Sequence, residues 1–195
     1  AATAVTEPVT RAEAKTHLNI DHTNDDTYID ALITVARRKA EQWTRRKLIQ
    51  ATVTGYLDAW PSGNSIVLPF GNLSSVTSIK YTDTSATQST MSSADYIVEA
   101  GTEPGKIVLG YGKSWPSASL YPSNPIEIIF VCGYGTTADT VPEMIRHAIK
   151  IMIADLYEQR QDEIVGTISK NIAAARELCF MYRLWAASQV RVLQE

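Results

Sequence analysis

Residues Thr140–Arg160 read TVPEMIRHAIKIMIADLYEQR, and their periodicity decides the class of the fold. Val141, Met144, Ile145, Ala148, Ile149, Met152, Ile153 and Leu156 recur at steps of three and four, while Arg146, His147, Lys150 and Asp155 fall mostly elsewhere on the wheel. Thr140 stands at N-cap spacing from Glu143, a capping-box pattern, and Pro142 occupies the first turn, where a missing N–H costs nothing. A helix over 140–160 is therefore predicted as the spine of the core. Each aliphatic side chain fully buried there gains about 1.5–3 kcal/mol before entropy is counted.

The chain on either side sorts into three textures. Upstream, Thr10 and Glu13 repeat the capping-box spacing ahead of a short helix over 10–20. A second helix follows over 26–46, with Ile29, Leu32, Ile33, Ala36, Ala40 and Trp43 as its apolar stripe. Asp25 and Asp26 suit the N-terminal dipole of that helix. Residues 1–8 carry no periodicity and read as a flexible arm. From 48 to 134 the sequence changes to short β-rich runs cut by turns: ATVTGYLDAW, SIVLP, SSVTSIKYTD, DYIVEA, GKIVLG and PIEIIFVCGYG. The runs TDTSATQSTMSSAD and SWPSASLYPSNP are expected as loops. Strands this short, without crossovers, favour antiparallel pairing. A polar link then leads to a final helical stretch from about Asn171 to Val192. The order α, β, α gives an α+β fold: a helical subunit with a β-rich antiparallel insertion. In domain terms these are an arm over 1–8, a body over 9–161, and a linker with a terminal helix over 162–195.

Composition narrows the function. With 195 residues, 45% hydrophobic and 20% charged, the chain is an ordinary globular protein rather than a disordered one. A net charge of −3 argues against coating nucleic acid through bulk charge. No apolar run approaches the roughly 20 residues of a membrane helix, so no membrane partner is expected. AATAVTEPVT lacks the pattern of a signal peptide, and the missing initial Met is expected to reflect its removal or the numbering. Cys132 and Cys179 are isolated and read as buried thiols in a reducing cytoplasm.

Signals for catalysis are absent from the pattern. His17, His22 and His147 are far apart in sequence, and no HExxH, Cys/His, GxSxG or GxxxxGK[ST] spacing occurs. The Gly-Tyr-Gly triplets at 110–112 and 133–135 read as turns closing strands. No catalytic residue, metal ligand or cofactor site is assigned.

Two features point to partners instead. Arg37, Arg38, Lys39, Arg45, Arg46 and Lys47 gather six of the eighteen basic residues at the end of the second helix. They either complement its carbonyl end or form a charged rim facing an acidic partner or DNA. In the final stretch, Leu178, Phe180, Met181, Tyr182, Leu184 and Trp185 extend the apolar surface beyond one face, as expected of a helix with more than one partner.

The ordered set TRAEAKTHLNIDHTNDDTYIDALITVARRKAEQWTRRKLI, YLDAWP, IVLPFGNLSSVTSIKYTD, YIVEAGTEPGKIVL, SWP, GYG and VPEMIRHAIKIMIADLYEQR resembles the head–tail connector, or adaptor, proteins of tailed phages and phage-like gene transfer agents. The likeness covers roughly residues 9–160. Gly71 and Asn72 stand where proline is common in that family, and Cys132 where a small residue is usual. The resemblance implies a structural virion protein made in the host bacterial cytoplasm and sited in the neck. It would form a ring of about twelve neighbouring subunits beneath the portal protein, extend the DNA channel, and offer the downstream stopper or tail component a surface. In that setting the basic residues would line the channel or an acidic interface, with non-specific contact to DNA, and the terminal helix would dock on the portal. The alternative from another class is a nucleic-acid-binding module using the basic end of the second helix.

Overall fold

The computed structural model describes residues 6–159, 170–185, 188 and 190–192. They form two compact units: Ala1–Ile49 with Tyr134–Arg183, and Gln50–Gly133 with Leu184–Glu195.

The first unit is helical, built from α1 (Arg11–Leu18), α2 (Asp26–Thr44), α3 (Glu143–Glu158) and α4 (Lys170–Phe180). Its core joins Ile29, Leu32, Ile33, Ala36 and Ala40 of α2 to Ile145, Ala148, Ile149, Met152 and Ile153 of α3. The spine predicted over 140–160 is thus a helix, two to three residues shorter at each end. Its start differs in kind. Thr140 closes a 3-10 turn over Ala138–Thr140, and its hydroxyl donates to the Thr137 carbonyl at 2.6 Å. Pro142 is therefore the N-cap, no side chain caps the helix, and the capping box expected at Thr140 does not form. At α1 the box does form: the Thr10 hydroxyl accepts from the Glu13 N–H at 3.2 Å, and the Glu13 carboxylate accepts from the Thr10 N–H at 2.8 Å.

Arg146 ties these two helix starts together. From α3 it donates to the Pro8 carbonyl at 3.0 Å, pairs with Glu13 of α1, and pairs with Glu143 at 3.0 Å. Val9 beside it is fully buried. Glu7 accepts from the Thr34 hydroxyl at 3.0 Å and from Arg37 Nε at 2.7 Å. The arm expected over 1–8 is consequently docked at Glu7 and Pro8, because both charge and backbone find partners there; residues 1–5 lie outside the described residues.

The second unit holds two antiparallel sheets, one of five strands in the order β4-β3-β7-β1-β8 and one of three in the order β2-β6-β5. The strands are β1 (Ala51–Leu57), β2 (Ser65–Val67), β3 (Leu73–Thr82), β4 (Gln88–Thr90), β5 (Tyr96–Glu99), β6 (Lys106–Leu109), β7 (Ile126–Cys132) and β8 (Arg191–Val192). Central β7 buries Ile126, Ile128, Phe130 and Cys132 in strict alternation, and β1 answers with Val53 and Leu57. Gly55 faces Ile128 across the ladder. The α+β class and the antiparallel pairing agree with expectation.

Both segments predicted as loops are corrected in part. Gln88–Thr90 pairs with β3 and leaves Met91 buried, since the polar run still carries one side chain the core can use. Trp115 stacks on Trp60, ring centroids 5.1 Å apart and nearly parallel, and its indole N–H donates to the Gly63 carbonyl at 2.8 Å. One aromatic anchor holds down a long polar segment, which a count of apolar residues does not register.

The helix expected to reach Val192 stops at Phe180. Turns follow, with the N–H groups of Tyr182 and Arg183 donating to the Cys179 and Phe180 carbonyls. The physical reason is that this segment serves two cores. Ala175 and Cys179 are fully buried in the helical unit, whereas Val190 and Val192 pack in the sheet unit, where β8 extends β1. A single helix cannot do both.

Two predictions follow from this packing. A Cβ added at Gly55 would lie 2.3 Å from Val190 Cγ1. Gly55→Ala should therefore displace β8 and cost about 1–3 kcal/mol in urea unfolding, with no loss expected in a chain already lacking residues 184–195. Burial pushes the Glu13 carboxyl up, but hydrogen bonds from the Thr10 N–H and hydroxyl, with the charges of Arg146 and Lys150, outweigh it and hold its pKa below the ordinary 4.5. A lowered carboxylate pKa stabilises the fold above the unfolded value, and the benefit is lost as pH falls through the folded one. Acid titration followed by circular dichroism should thus show a shallower loss of stability below about pH 4.5 in Glu13→Gln than in the wild type.

Candidate functional site

Chemistry-bearing side chains are dispersed. Among the described residues no group of three His, Cys, Asp or Glu is poised to hold a metal, and no helix is long and apolar enough to cross a membrane. His17 and His147, distant in sequence, meet edge to face at 6.2 Å. Burial first, then the charges of His147 and Lys150, lower the His17 pKa. Both cysteines are buried, and burial pushes the Cys179 thiol up to about 11, which makes it unreactive. The Gly110–Tyr111–Gly112 triplet forms a turn closed by the Lys113 N–H on the Gly110 carbonyl at 3.0 Å, with Gly112 at φ +71°. It holds Tyr111 fully in solvent.

The surfaces are more informative than any cleft. The six basic residues near the end of α2 do not act as one rim. Arg37 pairs with Glu7 at 2.7 Å and with Glu41 at 3.3 Å, and Lys47 approaches the same Glu41 at 3.8 Å. Lys39 lies over the Trp43 ring, 5.2 Å from its centroid. Arg46 is buried, and its Nε donates to the Tyr182 carbonyl at 2.6 Å, fastening the end of α2 to the turn after α4. Only Arg38 and Arg45 are exposed. The expectation that all six line a channel or charged interface is corrected to that extent. Local carboxylates, aromatic rings and carbonyls claim the others; Glu41 and Trp43 are one-turn neighbours on the helix, whereas Glu7 and the Tyr182 carbonyl come from far along the chain.

The apolar candidates divide in the same way. Leu178 and Tyr182 pack against the helical core, and the Tyr182 hydroxyl reaches Met144 Sδ at 3.7 Å. Leu184 is buried. Phe180, Met181 and Trp185 are exposed by 47%, 74% and 66%, far more than large apolar side chains settled in a core. These three are the exposed members of the set. Further exposed apolar side chains that sequence reasoning passed over are Val35 on α2 and Ile97 on edge strand β5. Their only signal was a place off the buried stripe, shared with many polar residues.

With the geometry set out, the likenesses to known proteins can be placed. Residues 10–102, covering α1, α2 and the sheet unit through β5, match the model of the phage gp6-like head–tail connector protein family. Over this stretch, just under half of its length, the chain is similar to phage gp6-like head–tail connector proteins. Nearly the whole chain shares its fold with chains of gene transfer agent particles. One is from the neck of an empty particle computed with C6 symmetry: 20% identity, TM-score 0.74, covering 92% of this chain and 91% of that one. Another is from the virion of the native particle: 21% identity, TM-score 0.74, 95% of each chain. A third is from the neck of the native particle computed with C12 symmetry: 21% identity, TM-score 0.65, 95% of this chain and 97% of that one. No curated protein sequence matches the chain significantly.

The sorting of the six basic residues makes a direct prediction. Arg37→Gln and Arg46→Gln should each cost about 1.5–3 kcal/mol, since each removes charged hydrogen bonds inside the fold. Arg38→Gln should stay within about 0.5 kcal/mol of wild type. Urea midpoints of the single variants check the ranking, and equal midpoints for Arg38 and Arg46 variants would contradict it.

Proposed function

We propose that this chain is a head–tail connector, an adaptor of the virion neck: it forms a ring of about twelve subunits beneath the portal, extends the DNA channel, and offers the tail side an attachment surface. The single observation that carries the proposal is the likeness of fold over more than nine-tenths of the chain to neck chains of gene transfer agent particles, joined to the match of residues 10–102 to the connector family. The C12 symmetry used for one of those necks supports the copy number. No residue has a catalytic role in this reading. Closed rings require heterologous contacts, one face of a subunit fitting a different face of its neighbour. DNA passes through the channel without sequence-specific contact, and two exposed arginines on α2 are too few to make a nucleic-acid-binding module of a chain of net charge −3.

The portal is the partner of the exposed terminal residues. Phe180, Met181 and Trp185 are of the kinds that dominate interface energetics, and burying an exposed Met or aromatic side chain is favourable without a new ion pair. The segment does not swing free of the subunit to do this, because Ala175, Cys179 and Val190 on either side are core residues. Docking uses side chains presented by a seated backbone, with a correspondingly small ordering cost.

Sedimentation of the purified chain with purified portal is the test. Co-sedimentation as a portal-bound ring is expected, and no binding would sink the adaptor reading. Trp185→Ala should weaken portal binding by about 2 kcal/mol if that residue is a buried anchor, with an unchanged melting temperature. Unchanged affinity in Trp185→Ala and Met181→Ala alike would move the docking surface elsewhere.

A further inference from the structure

Most basic side chains are engaged inside the subunit, and two that are not share a helix face. Arg38 and Arg45 stand seven residues apart along the last two turns of α2 and its C-cap, both exposed. Neither makes an ion pair or hydrogen bond with any described residue. Arg45 is the C-cap, in the left-handed region at φ 56°, ψ 37°. Glycine fills such a position at lower cost. Nothing in the folding of the helical unit calls for arginine there.

Free charge of the opposite sign sits at the other end of the same unit. Helix α2 runs antiparallel to α3: the Tyr157 hydroxyl donates to Asp25 at 2.5 Å, and the Tyr28 hydroxyl to the Leu156 carbonyl at 3.4 Å. The start of α2 is thereby placed beside the end of α3. Around it lie Asp21, in the turn before α2, and Glu158, the last residue of α3, both exposed and both without an ion pair or hydrogen bond to any described residue. A 19-residue helix such as α2 is about 28 Å long. Arg176 and Glu177, adjacent on α4, are exposed charges of opposite sign, and Asp139 before α3 is hydrogen-bonded to Thr137; the remaining unpaired charge among the described residues of the helical unit is positive towards one end of α2 and negative at the other.

We infer that Arg38 and Arg45 of one subunit meet Asp21 and Glu158 of the next copy of this chain, head to tail. The inference rests on the ring proposed above and names one of its contacts. A ring needs two different, mutually complementary faces on one subunit, and this separation of free charge supplies them. Portal or DNA on the basic end would leave the acidic end without a counterpart, whereas a second copy uses both. Each pair alone is weak in water, but pairing across a contact sets register and disfavours like-with-like docking.

Charge reversal separates the possibilities. Particles assembled with wild-type portal are purified and the copies of the subunit per particle counted by quantitative mass spectrometry. Arg38→Glu with Arg45→Glu should lower the count at least about tenfold, and Asp21→Lys with Glu158→Lys should do the same. A chain carrying all four reversals should recover the wild-type count, because every contact then regains an opposite charge. Arg45→Gly keeps the test independent of folding: it should melt higher than wild type and still be retained less well. Failure of the four-reversal chain to recover would overturn the inference. So would full retention of the Asp21, Glu158 variant beside loss of the Arg38, Arg45 variant, which would assign the basic end to portal or duplex. Absence of the wild-type chain from particles is a separate outcome that removes the ring itself.

Discussion

The helical unit depends on one buried seam, where the α3 stripe of Ile145, Ala148, Ile149, Met152 and Ile153 meets the α2 stripe of Ile29, Leu32, Ile33, Ala36 and Ala40. Both stripes are apolar and buried, and the small residues in each let the backbones come close enough for the large ones to interdigitate. Everything else in the unit is arranged on that seam. Arg146 emerges from its edge to hold α1 and the Glu7–Val9 segment. Helix α4 lays Ala175 and Cys179 against it. Arg46 fixes the end of α2 to the turn that follows α4. The polar contacts are peripheral, and they determine where chain ends and turns lie more than whether the unit folds.

This arrangement decides which side chains are left for other molecules. Charges that work within the subunit are unavailable outside it, so a cluster of six basic residues reduces to two exposed ones. Of the six terminal apolar residues, Phe180, Met181 and Trp185 are the exposed ones. Surfaces of this kind, on a backbone that the fold holds still, are where the chain can meet other molecules.

Much of the fold was legible in the sequence because periodicity reports burial directly. The stripes of α2 and α3, the capping box of α1 and the alternation of β1 and β7 all follow from which positions are apolar. What was not legible depended on which of several partners a side chain takes. Thr140 resembled an N-cap, but its hydroxyl answers Thr137 and the helix begins two residues later. Trp115 sat in a polar run, yet its stack on Trp60 anchors that run. The terminal stretch was apolar around most of its circumference, which suggested one helix with an outside partner; in fact the chain leaves the helix after Phe180 and gives Val190 to the sheet unit. For the candidate site, residue type and spacing singled out two segments. Which side chains in them stay exposed depended partly on Glu41, one helical turn from Arg37 and so readable from spacing, and partly on Glu7 and the Tyr182 carbonyl, which spacing cannot assign.

The central claim is that this chain is a ring-forming adaptor at the portal vertex. A cryo-electron reconstruction of the neck, from particles carrying the wild-type chain and computed without imposed symmetry, tests it most directly. The account predicts a closed ring of about twelve copies directly beneath the portal, with the helical units in contact around the ring and Trp185 against portal density. A neck without this chain, or copies that touch the portal singly and never one another, would contradict it.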